Sequence, residues 1–193
     1  MDADHARTAE LDALRGAFTT GCDPALGWDA VRVFEAEHGI VLPEPYRTFV
    51  AEICDGSTQG PPEWGLLPLA SLPDGRRGGG TGRDLAKPFP LASRWIWTDD
   101  PRPVEEIQAE IDAVSDHGSV ILGDEGCGMY WHLVVAGPSR GHIWLVFEDG
   151  AVPFGAEFDY EPGDAAFPHG DSGFAGWVKH WAAGNSWFDD DHQ

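Results

Sequence analysis

SVILGDEGCGMYWHLVVAGPSRGHIWLVFEDGAVPF, residues 119–154, contains four runs rich in β-branched and aromatic side chains: SVILG, MYWHLVVAG, RGHIWLVF and GAVPF. DEGCG, GPSRG and EDG divide them, glycine-bearing turns short enough to fold each run back on the last. The reading is an antiparallel meander. Pairing Ala136 with His142 around GPSRG sets Trp131, Leu133 and Val135 opposite Phe147, Leu145 and Ile143, an apolar face that belongs in a core. A slip of one residue would set Glu148 beside Trp131. The opposite face carries Tyr130, His132, Val134, His142, Trp144 and Val146. Either helices cover it or it is a contact surface, since aromatic groups with polar tips are favoured at protein interfaces.

Working outward, PVEEIQAEIDAVSDHG places Val104, Ile107, Ile111 and Val114 at helical spacing with acids on the other faces, a helix solvated on its outside. RWIWTDD reads as a further strand, and GPPEWGLLPL as a proline-bounded turn leading into a short apolar strand. Towards the N-terminus, Leu11, Leu14 and Phe18 mark a first helix. Trp28, Val31 and Phe34 mark a second, stopped at His38-Gly39. Pro45 opens a third, with Tyr46, Phe49, Val50 and Ile53 on one face and Gly56 at its end. Ile40 to Leu42 pack the elbow between the second and third. A final helix runs from Ser172 as cap through Phe174, Trp177, Val178 and Trp181 to Gly184.

The chain of 193 residues is 42% hydrophobic, with nine tryptophans, enough for one domain with a substantial core. Acidic side chains number 33 against 12 basic ones, a formal net charge of −21. Such a surface repels nucleic acid and anionic membranes and favours steered capture of a basic protein, although plain solubility explains the charge equally well. The N-terminus lacks the order of a secretory signal, and no apolar run approaches a membrane span. Cys22, Cys54 and Cys127, odd in number and widely spaced, fit buried reduced thiols better than a disulfide frame or a zinc site. The expectation is a cytoplasmic protein in reducing surroundings.

Chemistry-bearing patterns are sparse. Cys127, His132 and Asp124 invite the idea of a small cysteine-dependent hydrolase, which needs thiol and imidazole within hydrogen-bond reach; a glycine-flanked cysteine is better read as a tight turn. His132 and His142 stand four residues apart along the expected ladder, about 13 Å, too far to share an ion. Glu105, Glu106, Glu110 and Asp112 read as a solvated helix face. The loop GRRGGGTGRD lacks the lysine-serine pair of a phosphate-binding loop. No catalytic, cofactor or metal site is expected.

The segment W-D-A-V-R-V-F-E-A-E-H-G-I-V-L-P-E-P-Y-R-T-F-V from Trp28, then C-D-G at 54 to 56 and G-P at 60 and 61, resembles the opening of the SUKH superfamily, of Smi/Knr type. ILGDEGCGMYWHLVVAGPSRGHIWLVFEDG and F-A-G-W-V-K-H-W are similar to its later blocks, so the resemblance spans 28 to 181. It implies an α+β fold, helices around one predominantly antiparallel sheet, in a domain over 28–184. Residues 1–27 supply an N-terminal helix and linker, and 185–193 an acidic tail. The glycine-arginine loop at 74–87 is longer than the resemblance leads one to expect. The resemblance also implies a non-catalytic binding protein: an immunity protein against a cognate polymorphic toxin, such as a nuclease, or a regulatory scaffold of the cell-wall-synthesis type. A nuclease toxin carries a basic surface that an acidic protein can occupy. The expected partner-binding residues are Asp124, Glu125, Glu148 and Asp149 at hairpin turns, with Tyr130, His132 and Trp144 on the mixed face.

Overall fold

The computed structural model describes residues 8–62, 64–69, 71–72, 83–155, 172–185 and 187. In chain order these form α1 (Thr8–Ala17), α2 (Trp28–His38), α3 (Tyr46–Glu52), β1 (Trp95–Ile96), a 3-10 turn (Trp97–Asp99), α4 (Val104–Asp116), β2 (Ser119–Gly126), β3 (Met129–Val134), β4 (Ile143–Phe147), β5 (Gly150–Pro153) and α5 (Phe174–Ala182). The strands make one antiparallel sheet in the order β1-β5-β4-β3-β2. The expected meander is present, and the fold is α+β in a single domain.

One face of the sheet carries Val120, Leu122, Trp131, Leu133, Leu145 and Val152 into the larger core, where Phe49 of α3 and Phe174 and Trp177 of α5 meet them. Trp131 pairs with Leu145 and Leu133 with Ile143, so the ladder is displaced by two residues from the expected one. The cause lies in the β3–β4 loop. Val134 N–H donates to His142 O at 3.0 Å and Gly141 N–H to Val134 O at 2.8 Å, which draws Val135 and Ala136 out of the ladder. Because side chains alternate with a period of two, that displacement leaves each on its expected face.

The second face is covered. Val134, Trp144, Val146 and Ala151 pack with Phe89, Trp97 and the α4 residues Ile107 and Val114 into a separate cluster. The Phe89 and Trp144 rings lie 5.1 Å apart. Of the two readings of the mixed face, coverage is the one observed.

At the α2–α3 corner, Gly39 closes α2 with φ 64°, a left-handed conformation that glycine adopts without a Cβ penalty. Leu42 is fully buried while Val41 faces out. A polar clasp fixes the elbow. Glu35, only 6% exposed, accepts the Leu42 N–H at 2.9 Å and Arg47 Nε at 2.7 Å on Oε1, and Arg47 Nη2 at 2.9 Å on Oε2. Such two-pronged pairing combines charge with fixed geometry. Burial pushes the Glu35 carboxyl up, but the Arg47 hydrogen bonds, the Leu42 N–H and the charges of Arg47 and Arg32 outweigh it and hold it below its ordinary value. From the β3–β4 loop, Arg140 Nη2 donates to the Val41 and Leu42 carbonyls at 3.1 and 3.2 Å, tying the corner to the sheet.

Several expectations are corrected. Cys22 and Cys54 form a disulfide with Cα atoms 5.5 Å apart, and Cys127 is exposed. A sequence separation of 32 hid the pairing: Asp23 N–H donates to Gly56 O and Thr58 N–H to Gly21 O, which lays the two segments side by side. With two of the three thiols paired, reducing surroundings no longer follow from the cysteines. Among the described residues no helix is long and apolar enough to cross a membrane. Reduction should lower the unfolding free energy by about 4 kcal/mol, the size expected for a loop of this length. Urea midpoints with and without dithiothreitol measure it, and coincident midpoints would refute it.

Among its described residues GPPEWGLLPL forms no strand; Ser57 and Leu66 make only an isolated bridge, because Gly65 and Pro68 interrupt any longer ladder. In RWIWTDD the strand is confined to Trp95–Ile96 before the 3-10 turn. α3 ends at Glu52, ahead of Gly56. Gly173, not Ser172, caps α5, and the Ser172 carbonyl instead accepts the Ile143 N–H at 2.9 Å. Val104, read on the buried stripe of α4, is 54% exposed. Most of the glycine-arginine loop and the tail beyond Trp187 lie outside the described residues. Within that loop, Arg83 Nη2 donates to Ser119 O at 3.0 Å and Leu85 is buried.

Candidate partner-binding rim

Sheet topology gathers acidic groups that the sequence separates. β2 ends and β3 begins at one end of the sheet, and the antiparallel order turns β4 into β5 at that same end. Tyr130 pairs with Val146, so by that register Glu148 stands level with Gly128 in the β2–β3 turn. On the far side, Ile96 of β1 pairs with Gly150. The Trp97 and Thr98 N–H groups both donate to Asp149 O, at 2.9 and 3.4 Å, and Trp97 Nε1 donates to Glu148 O at 2.6 Å. The backbone of the acidic β4–β5 turn is therefore held by a buried tryptophan, and Asp99 joins the rim.

Asp99, Glu148 and Asp149 are exposed, and among the described residues none of the three has an ion pair. Arg102, the first cation after Asp99 in the chain, is committed elsewhere: it pairs with Asp100 at 2.9 Å and Glu110 at 2.8 Å. Its hydrogen bonds hold the Asp100 carboxyl well below the usual carboxylate range. In the other turn, half-buried Asp124 accepts the Gly126 N–H on Oδ1 at 2.6 Å, which leaves Oδ2 with no hydrogen bond in this turn.

The expected site residues thus divide. Asp124, Glu148 and Asp149 lie at the same end of the sheet. Glu125 is 8% exposed and accepts Trp131 Nε1 at 2.7 Å. His132, 1% exposed, lies 2.9 Å through Nδ1 from Ser119 Oγ. Trp144 is 0% and Tyr130 9% exposed. All four are interior groups: α4 and the segment through Phe89 and Trp97 close over the mixed face that carries Tyr130, His132 and Trp144, whereas Glu125 is held by Trp131 of the main core. Asp99 was not singled out from the sequence; its signal was a Trp-Thr-Asp-Asp turn beside a short strand.

The hydrolase trio is not assembled. Cys127 sits exposed at φ 51° in the turn, His132 lies about 10 Å further along β3 from Met129 by strand rise, and Ser119 occupies its Nδ1 side. The observed register sets His132 opposite Trp144, so His142 lies two residues from it along the ladder, about 7 Å and nearer than expected. Burial holds the His142 imidazole below its ordinary range. Among the described residues no three His, Cys, Asp or Glu side chains are grouped to hold a metal ion.

One known family model matches residues 29–161, a span that holds the corner and the meander, under the description SMI1 / KNR4 family (SUKH-1). The chain belongs to this family. Among curated proteins and among solved structures, none matches it. The SUKH-1 match ends before α5, although α5 supplies Phe174, Trp177 and Val178 to the main core and packs against α1. In this SUKH-1 chain the Phe34-Glu35 and Tyr46-Arg47 pairs, both within the matched span, are the two sides of the Glu35–Arg47 clasp.

Proposed function

We propose that the protein is a non-catalytic binding module that neutralises a basic protein, a cognate toxin of a polymorphic toxin system such as a nuclease, by laying its acidic rim over the surface the toxin uses to hold phosphates. The observation that carries this reading is the convergence of the β2–β3 and β4–β5 turns, with Asp99 beside them, on one end of the sheet with carboxylates unneutralised by the chain itself. A net charge of −21 adds a long-range field that speeds encounter with a cationic partner. Family membership supports protein binding as the mode of action. It is equally compatible with a regulatory scaffold in cell-wall synthesis.

Co-expression with the toxin domain encoded beside this gene should restore growth of the host, and the purified pair should bind in calorimetry. A variant carrying Asp99→Asn, Glu148→Gln and Asp149→Asn should bind about a hundredfold more weakly at low salt while its thermal unfolding stays within the range of surface substitutions. Unchanged affinity would reject the rim. No linked toxin, and capture of cell-wall enzymes in its place, would favour the scaffold.

A further inference from the structure

Trp64 is 71% exposed, the most solvent-accessible of the large apolar side chains described. Its loop is nonetheless tightly held. Ser57 and Leu66 exchange backbone hydrogen bonds at 2.8 Å each, Gly65 N–H donates to Pro62 O at 2.9 Å, and Leu67 N–H donates to Leu122 O in β2 at 2.7 Å. Pro62 seats on Gly123 so closely that any Cβ there would strike its ring. The fold thus spends a clamp on a segment whose indole contributes little to the core. An indole fixed in water beside a turn has the form of an interface anchor, the residue type most enriched where binding energy concentrates.

What lies beside it selects the ligand. A Cβ on Gly126 would fall 3.3 Å from Trp64 Nε1, and the Gly126 N–H is the one bonded by Asp124 Oδ1. Indole and carboxylate therefore flank the same glycine. Residues 57–69 and 119–139, which build this end, contain no lysine or arginine. An acidic or phosphorylated ligand is repelled here, and a purely apolar one would strip water from Asp124 without replacing it.

We propose that Trp64 and Asp124 receive an arginine side chain of a basic protein partner, its guanidinium stacked on the indole face and hydrogen-bonded to the open Asp124 oxygen. This rests on the basic-partner reading above and names the contact through which it discriminates. Arginine suits the site better than lysine because its planar group can stack and hydrogen-bond at once.

The test uses the full chain and two peptides, hexa-arginine and hexa-lysine, in about 50 mM salt, where surface charge is weakly screened. In proton–nitrogen correlation spectra the Trp64 indole signal, assigned with Trp64→Phe, should shift saturably with hexa-arginine and at least about threefold less with hexa-lysine at equal concentration. In calorimetry Trp64→Ala should weaken hexa-arginine binding about tenfold, Trp64→Phe about threefold, and Asp124→Asn several-fold. If the amides of Glu148 and Asp149 shift while the Trp64 indole stays still, the anchor is wrong and the acidic rim stands. If neither peptide moves any signal, both are wrong. The spectra of the unsubstituted chain decide this even if a variant folds poorly.

Discussion

Glu35→Ala should lower the unfolding free energy by about 4 kcal/mol in urea at pH 7, within the range for removing one partner of a buried ion pair. The loss has two parts. Arg47, whose guanidinium lies 5.3 Å from the centroid of the Trp28 ring, loses its bidentate acceptor. The buried Leu42 N–H loses its only described partner at the elbow. Glu35→Gln should cost less, since an amide oxygen can still accept from Leu42. Acidity supplies a second readout. A carboxyl held below its usual 4.5 contributes stability that is fully present above that value and is lost as pH falls through the folded-state value. The gap between the native chain and Glu35→Gln should therefore be flat from about pH 5.5 to 7.5 and narrow below about 4.5. A gap that widens on acidification, or a Glu35→Ala cost under about 1 kcal/mol, would show that the clasp does not hold the corner.

Trp144→Ala should cost a similar amount, about 4 kcal/mol, the usual scale for emptying a fully buried indole site. Trp144 is 0% exposed, with Phe89 against its ring. Its removal opens a cavity between sheet and α4 that the meander cannot close without breaking ladder pairs with His132 and Pro153. Any weakening of partner binding should follow the fraction unfolded and vanish at a temperature where the variant is fully native. The rim substitutions should behave in the opposite way, altering binding with unfolding within about 0.5 kcal/mol. A Trp144→Ala protein that melts like the native chain yet binds poorly would return this residue to the contact surface.

The meander was legible because its signals are local: alternation along each strand and glycines at each turn. Its face assignment depended on parity alone and so survived a ladder displaced by two. The displacement itself depended on loop hydrogen bonds around Ser139 and Gly141, which leave no periodic trace. The same limit explains the Cys22–Cys54 bridge, made by backbone contacts between residues far apart in the chain. Tyr130, His132 and Trp144 could be read as interface or interior, because an amphipathic aromatic strand looks alike in both. Only the placement of α4 distinguishes them. For the rim, turn acids were recognisable one turn at a time. That two turns and the Trp97–Asp99 segment share an end follows from strand order, and so does the nearness of Trp64 to Gly126.

The separation between the turns and the strands that carry them has an evolutionary meaning. Strand side chains from Val120 to Val152 are almost all interior, whereas those of Glu148, Asp149 and Cys127 are exposed. On the proposed function, folding depends on one set of positions and recognition on another. If the turns carry recognition as proposed, descendants of such a chain can change partner by rewriting a few loop letters, and a designer can randomise the same positions without rebuilding the scaffold beneath.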